Sequence, residues 1–277
     1  MISENYHFNY SLTTNTDKHL ILFLHGFMGN IHEFDATIKL LADNFSYLIL
    51  DLPGHGNTQV SGVDNYYTMP KTAEAIIRLL DKLNIPKCFL VGYSMGGRLA
   101  LYLTLNFPER FYKVILESTS PGLATEAEQI ERIQRDAQIA RKLARSVSKI
   151  DFAAFLFSWY NQPIFGSMKN HLSFNRMLES RLQNNPQELT KSLQFMGTGS
   201  QPSLWNKLQN NQIPLLLMVG ENDAKFIDIN KEMAQICRAS QLKIINNSAH
   251  NIHFENTSEF VYHLKVYFES TTLPAKR

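Results

Sequence analysis

Ser94 is placed where a hydroxyl can be made into a base or a nucleophile. Val91-Gly92-Tyr93-Ser94-Met95-Gly96-Gly97 reads G-x-S-x-G with a further glycine, after the apolar run Cys88 to Val91 and before a helical segment. That is what a nucleophile elbow requires: the serine occupies a strained turn at the top of a sheet, and small neighbours let strand and helix approach closely. Its oxygen then lies beside the helix that starts at Met95, where unpaired N–H groups and the helix dipole favour negative charge. A serine hydroxyl becomes reactive when a histidine accepts its proton and a carboxylate fixes that histidine's tautomer. The partners are expected in the order Ser, Asp or Glu, His, each at the end of a later strand. Pro214 to Gly220 runs into Glu221-Asn222-Asp223, and Gln241 to Asn246 runs into Asn247-Ser248-Ala249-His250. Ser94, Asp223 and His250 are therefore the expected triad. Glu221 and His253 are the competitors, the first nearer its strand and the second three residues past His250. Asp51 also ends a strand, but it precedes Ser94, and Leu50-Asp-Leu-Pro-Gly-His-Gly56 reads as a structural turn.

Negative charge developing on a substrate oxygen needs two N–H groups aimed at one point. Met95 supplies one, immediately after the serine. Phe27, within Leu24-His-Gly-Phe-Met-Gly29, is the natural second donor. No metal or nucleotide site competes, because the histidines lack ligand spacing and Gly92 to Gly97 is neither a Walker nor a dinucleotide loop.

These groups have to be positioned by a sheet. His19 to Gly26 and Ser46 to Gly54 are short apolar runs ending in glycine, with helical spacing of Phe34, Ile38 and Leu41 between them, over Ile31 to Asn44. Strands apolar along their whole length and alternating with helices indicate a parallel sheet covered on both faces. The alternation continues with helix Met69 to Leu83, capped by Thr68, strand Lys87 to Tyr93, helix Met95 to Asn106 and strand Lys113 to Glu117. It resumes with helix Pro202 to Asn210, strand Pro214 to Gly220, helix Lys225 to Arg238, strand Gln241 to Asn246 and helix Thr257 to Glu269. Tyr6 to Ser11 alternates aromatic and polar residues as a half-exposed edge strand does. Between Ala124 and Ser200 there is no strand-like run, only helical stretches punctuated by Pro163, Gly166, Pro186 and Gly197. The expected organisation is an α/β core of residues 1–121 and 201–270, a helical cap of residues 122–200 inserted in it, and a disordered tail at 271–277.

A chain of 277 residues, 44% hydrophobic and 19% charged, has room for one such domain with its insertion. Lysine and arginine number 27 against 25 aspartates and glutamates, and no basic run stands out, which argues against nucleic acid or an anionic membrane as partner. The cap holds the positive excess, with ten Lys or Arg against seven Asp or Glu from Gly122 to Ser200. Cys88 and Cys237, the only cysteines, fall in a strand and a helix and argue against a disulfide framework. The start lacks a signal-like segment, and no apolar run approaches the ~20 residues that span a bilayer. A soluble cytoplasmic protein is expected.

Taken together, Leu24-His-Gly-Phe-Met-Gly29, Gly92-Tyr-Ser-Met-Gly-Gly-Arg98, Ser120-Pro-Gly-Leu123, Trp159-Tyr-Asn-Gln-Pro-Ile-Phe165, Gly220-Glu-Asn-Asp-Ala-Lys-Phe226 and Ala249-His-Asn-Ile-His-Phe-Glu255 resemble one branch of the α/β-hydrolase fold. That branch is the 2-succinyl-6-hydroxy-2,4-cyclohexadiene-1-carboxylate synthases of menaquinone and phylloquinone biosynthesis. The resemblance implies a lyase without cofactor, which removes pyruvate from 2-succinyl-5-enolpyruvyl-6-hydroxy-3-cyclohexene-1-carboxylate by proton abstraction and elimination. It implies Ser94, activated by His250 and Asp223, as the base, with the N–H groups of Phe27 and Met95 on the enolate. Tyr93, Arg98, Arg132, Trp159 and Arg181 match positions that contact the substrate, a small polycarboxylate suited to arginine forks. Arg132 and Arg135 lie within one helical turn, and the sequence leaves open which faces the site; it also leaves the oligomeric state open. A serine hydrolase of a small ester or C–C bond, and a non-catalytic small-molecule receptor, are the alternatives the fold allows.

Overall fold

The computed structural model describes residues 5–166 and 168–270; the tail expected at 271–277 lies outside the described residues. In chain order the elements are β1 (Tyr6–His7), β2 (Tyr10–Thr13), β3 (Leu20–Leu24), α1 (Asp35–Leu41), β4 (Ser46–Leu50), β5 (Gln59–Val60), α2 (Met69–Lys82), β6 (Cys88–Tyr93), α3 (Met95–Asn106) and β7 (Phe111–Glu117). Then follow α4 (Glu126–Ala144), α5 (Lys149–Trp159), α6 (Phe174–Arg181), α7 (Pro186–Met196), α8 (Trp205–Leu208), β8 (Leu215–Gly220), α9 (Ala224–Ile236), β9 (Ser240–Ile245), α10 (Ile252–Glu255) and α11 (Thr257–Glu269). The main sheet runs β2-β4-β3-β6-β7-β8-β9, with only β2 antiparallel to its neighbour.

The period-2 alternation of side chains sorts each central strand between two cores. Leu22 and Leu24 of β3 face the α2 and α3 side with Leu90, Leu99 and Leu116. Ile21 and Phe23 face the α1 and α11 side with Val91, Ile115 and Phe260. A strand needed by both cores has no polar face, which is why β3, β6 and β8 read as unbroken apolar runs.

Residues 122–200 supply α4 to α7, and α4, α5 and α7 each start on a side-chain cap. Thr125 with Glu128 and Ser148 with Asp151 form capping boxes, and Asn185 caps α7 ahead of Pro186 at its first position. The Leu204 N–H donates to Pro121 O at 2.8 Å, so the chain leaves and re-enters the core at one point. A third apolar cluster, with Leu143, Phe152, Leu156, Tyr160 and Phe174, knits these helices together and includes Met28 of the core.

Three local expectations are corrected. The edge strand at Tyr6 to Ser11 is two pieces: Tyr6–His7 pairs with β5, whereas Tyr10–Thr13 pairs with β4. Between them Asn9 is pinned by its N–H to Thr58 Oγ1 and by its amide to Asp51, which breaks the line of the strand. Helix α1 starts at Asp35 rather than Ile31, because the preceding residues close tighter turns, Glu33 N–H to Asn30 O and Asp35 N–H to His32 O, and the first helical bond runs from Ile38 N–H to Phe34 O. Thr68 does stand at the N-cap of α2, but its hydroxyl donates back to Asn65 O and leaves the helix N–H groups uncapped.

Candidate active site

Ser94 joins β6 to α3 with φ 50° and ψ −107°, a conformation that a side chain adopts only under constraint. Its neighbours supply the constraint. An added Cβ on Gly92 would stand 2.5 Å from Gly96 O, and one on Gly96 would stand 2.2 Å from Leu24 O and 2.4 Å from His25 O. The helix thus packs backbone to backbone on the strand, which only glycine permits. Gly96→Ala is expected to force α3 away from β3, lowering stability by about 1–3 kcal/mol. It should also reduce turnover, because the Met95 N–H moves with the helix. Thermal unfolding and a rate measurement test this together; an unchanged Tm with an unchanged rate would contradict the close approach.

The hydroxyl of Ser94 donates to His250 Nε2 at 3.0 Å, and His250 Nδ1–H donates to Asp223 Oδ2 at 2.7 Å. Asp223 and His250 are buried, whereas Ser94 is half-buried, so the chain of hydrogen bonds opens at the serine oxygen. Rings of Tyr93, Phe165 and Phe226 stand around the imidazole, with centroids at 5.6, 6.0 and 4.7 Å. Glu221 turns elsewhere and accepts the Asn247 N–H at 2.6 Å. His253 is buried too, but against Glu117 and Glu33.

The first helical bond of α3 runs from the Arg98 N–H to Ser94 O, which leaves Met95 ahead of the ladder. On the facing loop, the Gly29 N–H donates to Gly26 O at 2.9 Å and the Met28 N–H to His55 Nε2 at 3.0 Å. The tight turn so formed, with Met28 at φ 68°, holds Phe27 between the anchored Gly26 and Met28. His55 must be neutral to accept that bond; burial, and then the neighbouring His25, hold its pKa well below the usual histidine value. Asn184 of the cap clamps the same loop, donating to Met28 O at 2.8 Å and accepting the Gly56 N–H at 2.7 Å.

The expected substrate-contact residues fall into different settings. Trp159 is half-buried, its ring 5.6 Å from that of Phe27, so it stands against the Phe27 loop. Tyr93 is buried beneath the triad, with burial and then Glu33 and Glu117 keeping its hydroxyl well above the usual tyrosine range. Arg98 reaches from α3 to the end of α7, donating to Met196 O at 3.0 Å and to Gln201 Oε1. Burial, and then the charge of Arg132, bring its pKa down to about 9. Arg132 on α4 is half-buried, and its Nε bonds Asp136 Oδ1 at 2.8 Å. Arg135 points outward, 71% exposed and 3.8 Å from Glu131. Arg181 is buried and already engaged, with Nη2 2.7 Å from Glu33 Oε1 and Nε 3.1 Å from Tyr160 Oη.

Residues 19–257 match the family model of the alpha/beta hydrolase fold. A Bacillus subtilis (strain 168) protein provisionally named 2-succinyl-6-hydroxy-2,4-cyclohexadiene-1-carboxylate synthase is 37% identical over 87% of this chain and 86% of its own length. The 2-succinyl-6-hydroxy-2,4-cyclohexadiene-1-carboxylate synthase of Enterobacter sp. (strain 638) is 34% identical over 85% of this chain and 86% of its own. The chain belongs to this synthase family. The solved structure of MenH from S. aureus agrees, with a TM-score of 0.85 at 33% identity, covering 96% of this chain and 98% of that one.

For this member of the synthase family, two features of the site were not expected from sequence. Lys225, two residues past Asp223, is an exposed cation on the first turn of α9: partial desolvation, and then the charge of Arg132, lower its pKa. Its position after Asp223 at the mouth of β8 was the available signal. Glu255 brackets His250, its Oε1 accepting the N–H groups of Ala249 at 3.2 Å and Asn251 at 3.1 Å. Burial pushes the Glu255 carboxyl up from 4.5 to about 7, against those two N–H groups. A raised folded pKa contributes stability that is complete below the unfolded value and is lost as pH rises through the folded one. Stability is therefore expected to fall on this account between pH 4.5 and 7. Glu255→Gln keeps the acceptor and removes the titration, so urea unfolding of the variant should lack that part of the slope. Equal pH slopes for the two proteins would rule it out.

Proposed function

We propose that the chain is a carbon–oxygen lyase. It eliminates pyruvate from 2-succinyl-5-enolpyruvyl-6-hydroxy-3-cyclohexene-1-carboxylate to give 2-succinyl-6-hydroxy-2,4-cyclohexadiene-1-carboxylate, within menaquinone or phylloquinone biosynthesis. The observation that carries this reading is the intact Ser94–His250–Asp223 hydrogen-bond chain in a member of the synthase family. A triad alone suits any acyl transfer; the buried Arg98 and half-buried Arg132 are cations suited to a substrate bearing carboxylates.

His250 takes the Ser94 proton, and the serine oxygen removes the proton α to the succinyl carbonyl. The new carbanion is held as an enolate by the N–H groups of Phe27 and Met95, where charge develops and water is excluded. Its electrons form the C2–C3 double bond, the ring double bond shifts from C3–C4 to C4–C5, and the C5–O bond to the enolpyruvyl group breaks; the leaving enolpyruvate takes the proton held on His250 and becomes pyruvate. Asp223 keeps the imidazole in the tautomer that accepts from serine and stabilises the imidazolium. Trp159 and Phe27 close the site over the substrate. We assign the activity to the cytoplasm, a reading supported by Cys88 and Cys237, which are both buried and free. Among the described residues no helix is long and apolar enough to cross a membrane.

The test is steady-state pyruvate release by purified protein from the enolpyruvyl substrate, beside simple esters and C–C diketones. Preference for the enolpyruvyl substrate is expected. Faster turnover of an ester or diketone would favour the hydrolase reading, and tight binding without turnover the receptor.

A further inference from the structure

Behind Tyr93 four ionisable side chains from four distant segments lie in contact, and the steps above use none of them. Glu117 ends β7, His253 lies on α10, Glu33 precedes α1, and Arg181 ends α6 in the cap. His253 Nδ1 is 2.7 Å from Glu117 Oε2, and Nε2 is 3.2 Å from Glu33 Oε1. The other oxygen of Glu117 accepts the backbone N–H of His253 at 3.0 Å. Glu33 passes the chain on to Arg181, whose Nη2 lies 2.6 Å from Oε2.

We infer that Glu33 and His253 are positioning residues that act through Arg181: the buried series Glu117–His253–Glu33–Arg181 fixes the guanidinium of the cap relative to the triad of the core. The inference rests on the proposed function in so far as Arg181 meets a substrate carboxylate.

Several observations carry it. Both ring nitrogens of His253 face carboxylate oxygens, and only an imidazolium donates from both. Burial opposes that charge, but Glu117 and then Glu33 outweigh it and raise the pKa to about 9. Burial likewise opposes the Glu33 carboxylate, yet Arg181 and His253 hold it below the usual range. With two carboxylates and two cations the series is balanced, so each member is the counter-charge of the next. Buried ion pairs are poor sources of stability compared with apolar packing, and their best-attested use is to fix one arrangement. Here the fixed object is identifiable: Glu33 on Nη2 and Tyr160 on Nε set the plane of the Arg181 fork. The ring of Tyr93 packs on both His253 and His250, so the same series borders the catalytic imidazole.

Charge neutralisation and positioning make opposite demands. If Glu33 only cancelled the charge of Arg181, Glu33→Gln would free a cation and tighten a polycarboxylate. A positioning role requires the reverse. Glu33→Gln and His253→Gln, in the full chain, should each raise KM about tenfold or more with kcat within about threefold, and Glu33→Asp, which keeps the charge but not the reach, should not restore KM. In an Arg181→Ala background, the added Glu33→Gln should change KM less than about twofold, since the group it positions is gone. A lowered KM for Glu33→Gln, or an equal rise in both backgrounds, would overturn the inference. Nitrogen-detected NMR of the unaltered protein at pH 7 needs neither variant nor substrate. Both ring nitrogens of His253 should carry protons, and the Arg181 Nε–H should exchange slowly. A singly protonated ring or a fast-exchanging Arg181 Nε–H would overturn the series even if the lyase reading held. The slow signals would stand even if the lyase reading failed.

Discussion

Replacing Ser94 by Ala is expected to lower turnover at least ~10³-fold, replacing His250 by Ala to do the same, and replacing both to cost little more than either alone. The reason is the single hydrogen bond of 3.0 Å through which the proton passes from Ser94 to His250: once either end is gone, the other has nothing to exchange with. Additive losses would mean that the two act separately. Asp223→Asn should leave the fold intact and impair the rate by disturbing the tautomer of His250. Glu221→Gln should do far less, because Glu221 holds only the Asn247 N–H. Greater damage from Glu221→Gln would mean that the wrong carboxylate has been placed in the triad.

The second large effect concerns the arginines. Arg98→Ala and Arg132→Ala are each expected to reduce kcat/KM by tens-fold or more, since truncating one partner of a desolvated charge pair costs about 2–5 kcal/mol. Lysine should rescue Arg132 poorly, retaining the charge without the planar fork. Arg135→Ala is the internal control. Its side chain is 71% exposed and its ion pair is 3.8 Å long, so stability should move within about 0.5 kcal/mol and kinetics not at all. A large kinetic loss for Arg135→Ala with wild-type behaviour for Arg132→Ala would reverse the assignment. Arg181→Ala is a different experiment, because it strands the Glu33 carboxylate in the interior. A loss of about 3–5 kcal/mol in stability is expected on that ground alone. Glu33→Gln added to Arg181→Ala should restore part of it, which denaturant unfolding would show.

How much of this was legible in the sequence follows from what each signal encodes. The triad was readable because each member follows an apolar strand and the glycines beside Ser94 mark a backbone approach that only glycine allows. The cap was readable as a break in the strand-helix rhythm, and its helix starts as Thr125, Ser148 and Asn185. Pairings across the fold were not. Glu33 and His253 are 220 residues apart, and His253 and Glu117 are 136 apart; no local period joins them. Read locally, His253 was a rival to His250 in the turn before the last helix, and Arg181 one more cap cation for a carboxylate. The ties of His55 and Asn184 to Met28 were hidden for the same reason: each joins the loop after β3 to a segment that the sequence places elsewhere. Arg132 and Arg135 could be told apart only with α4 in place: Arg132 pairs with the buried Asp136, whereas Arg135 stands in open solvent.

The central claim, elimination rather than hydrolysis, is tested most directly by running the reaction to completion in water enriched in oxygen-18 and analysing both products. The account predicts pyruvate and the conjugated cyclohexadiene in equal amounts, with the heavy isotope absent from the ring product and present in pyruvate only to the extent that its carbonyl exchanges without enzyme. Heavy oxygen in the cyclohexadiene product, or a product ratio far from one to one, would contradict it.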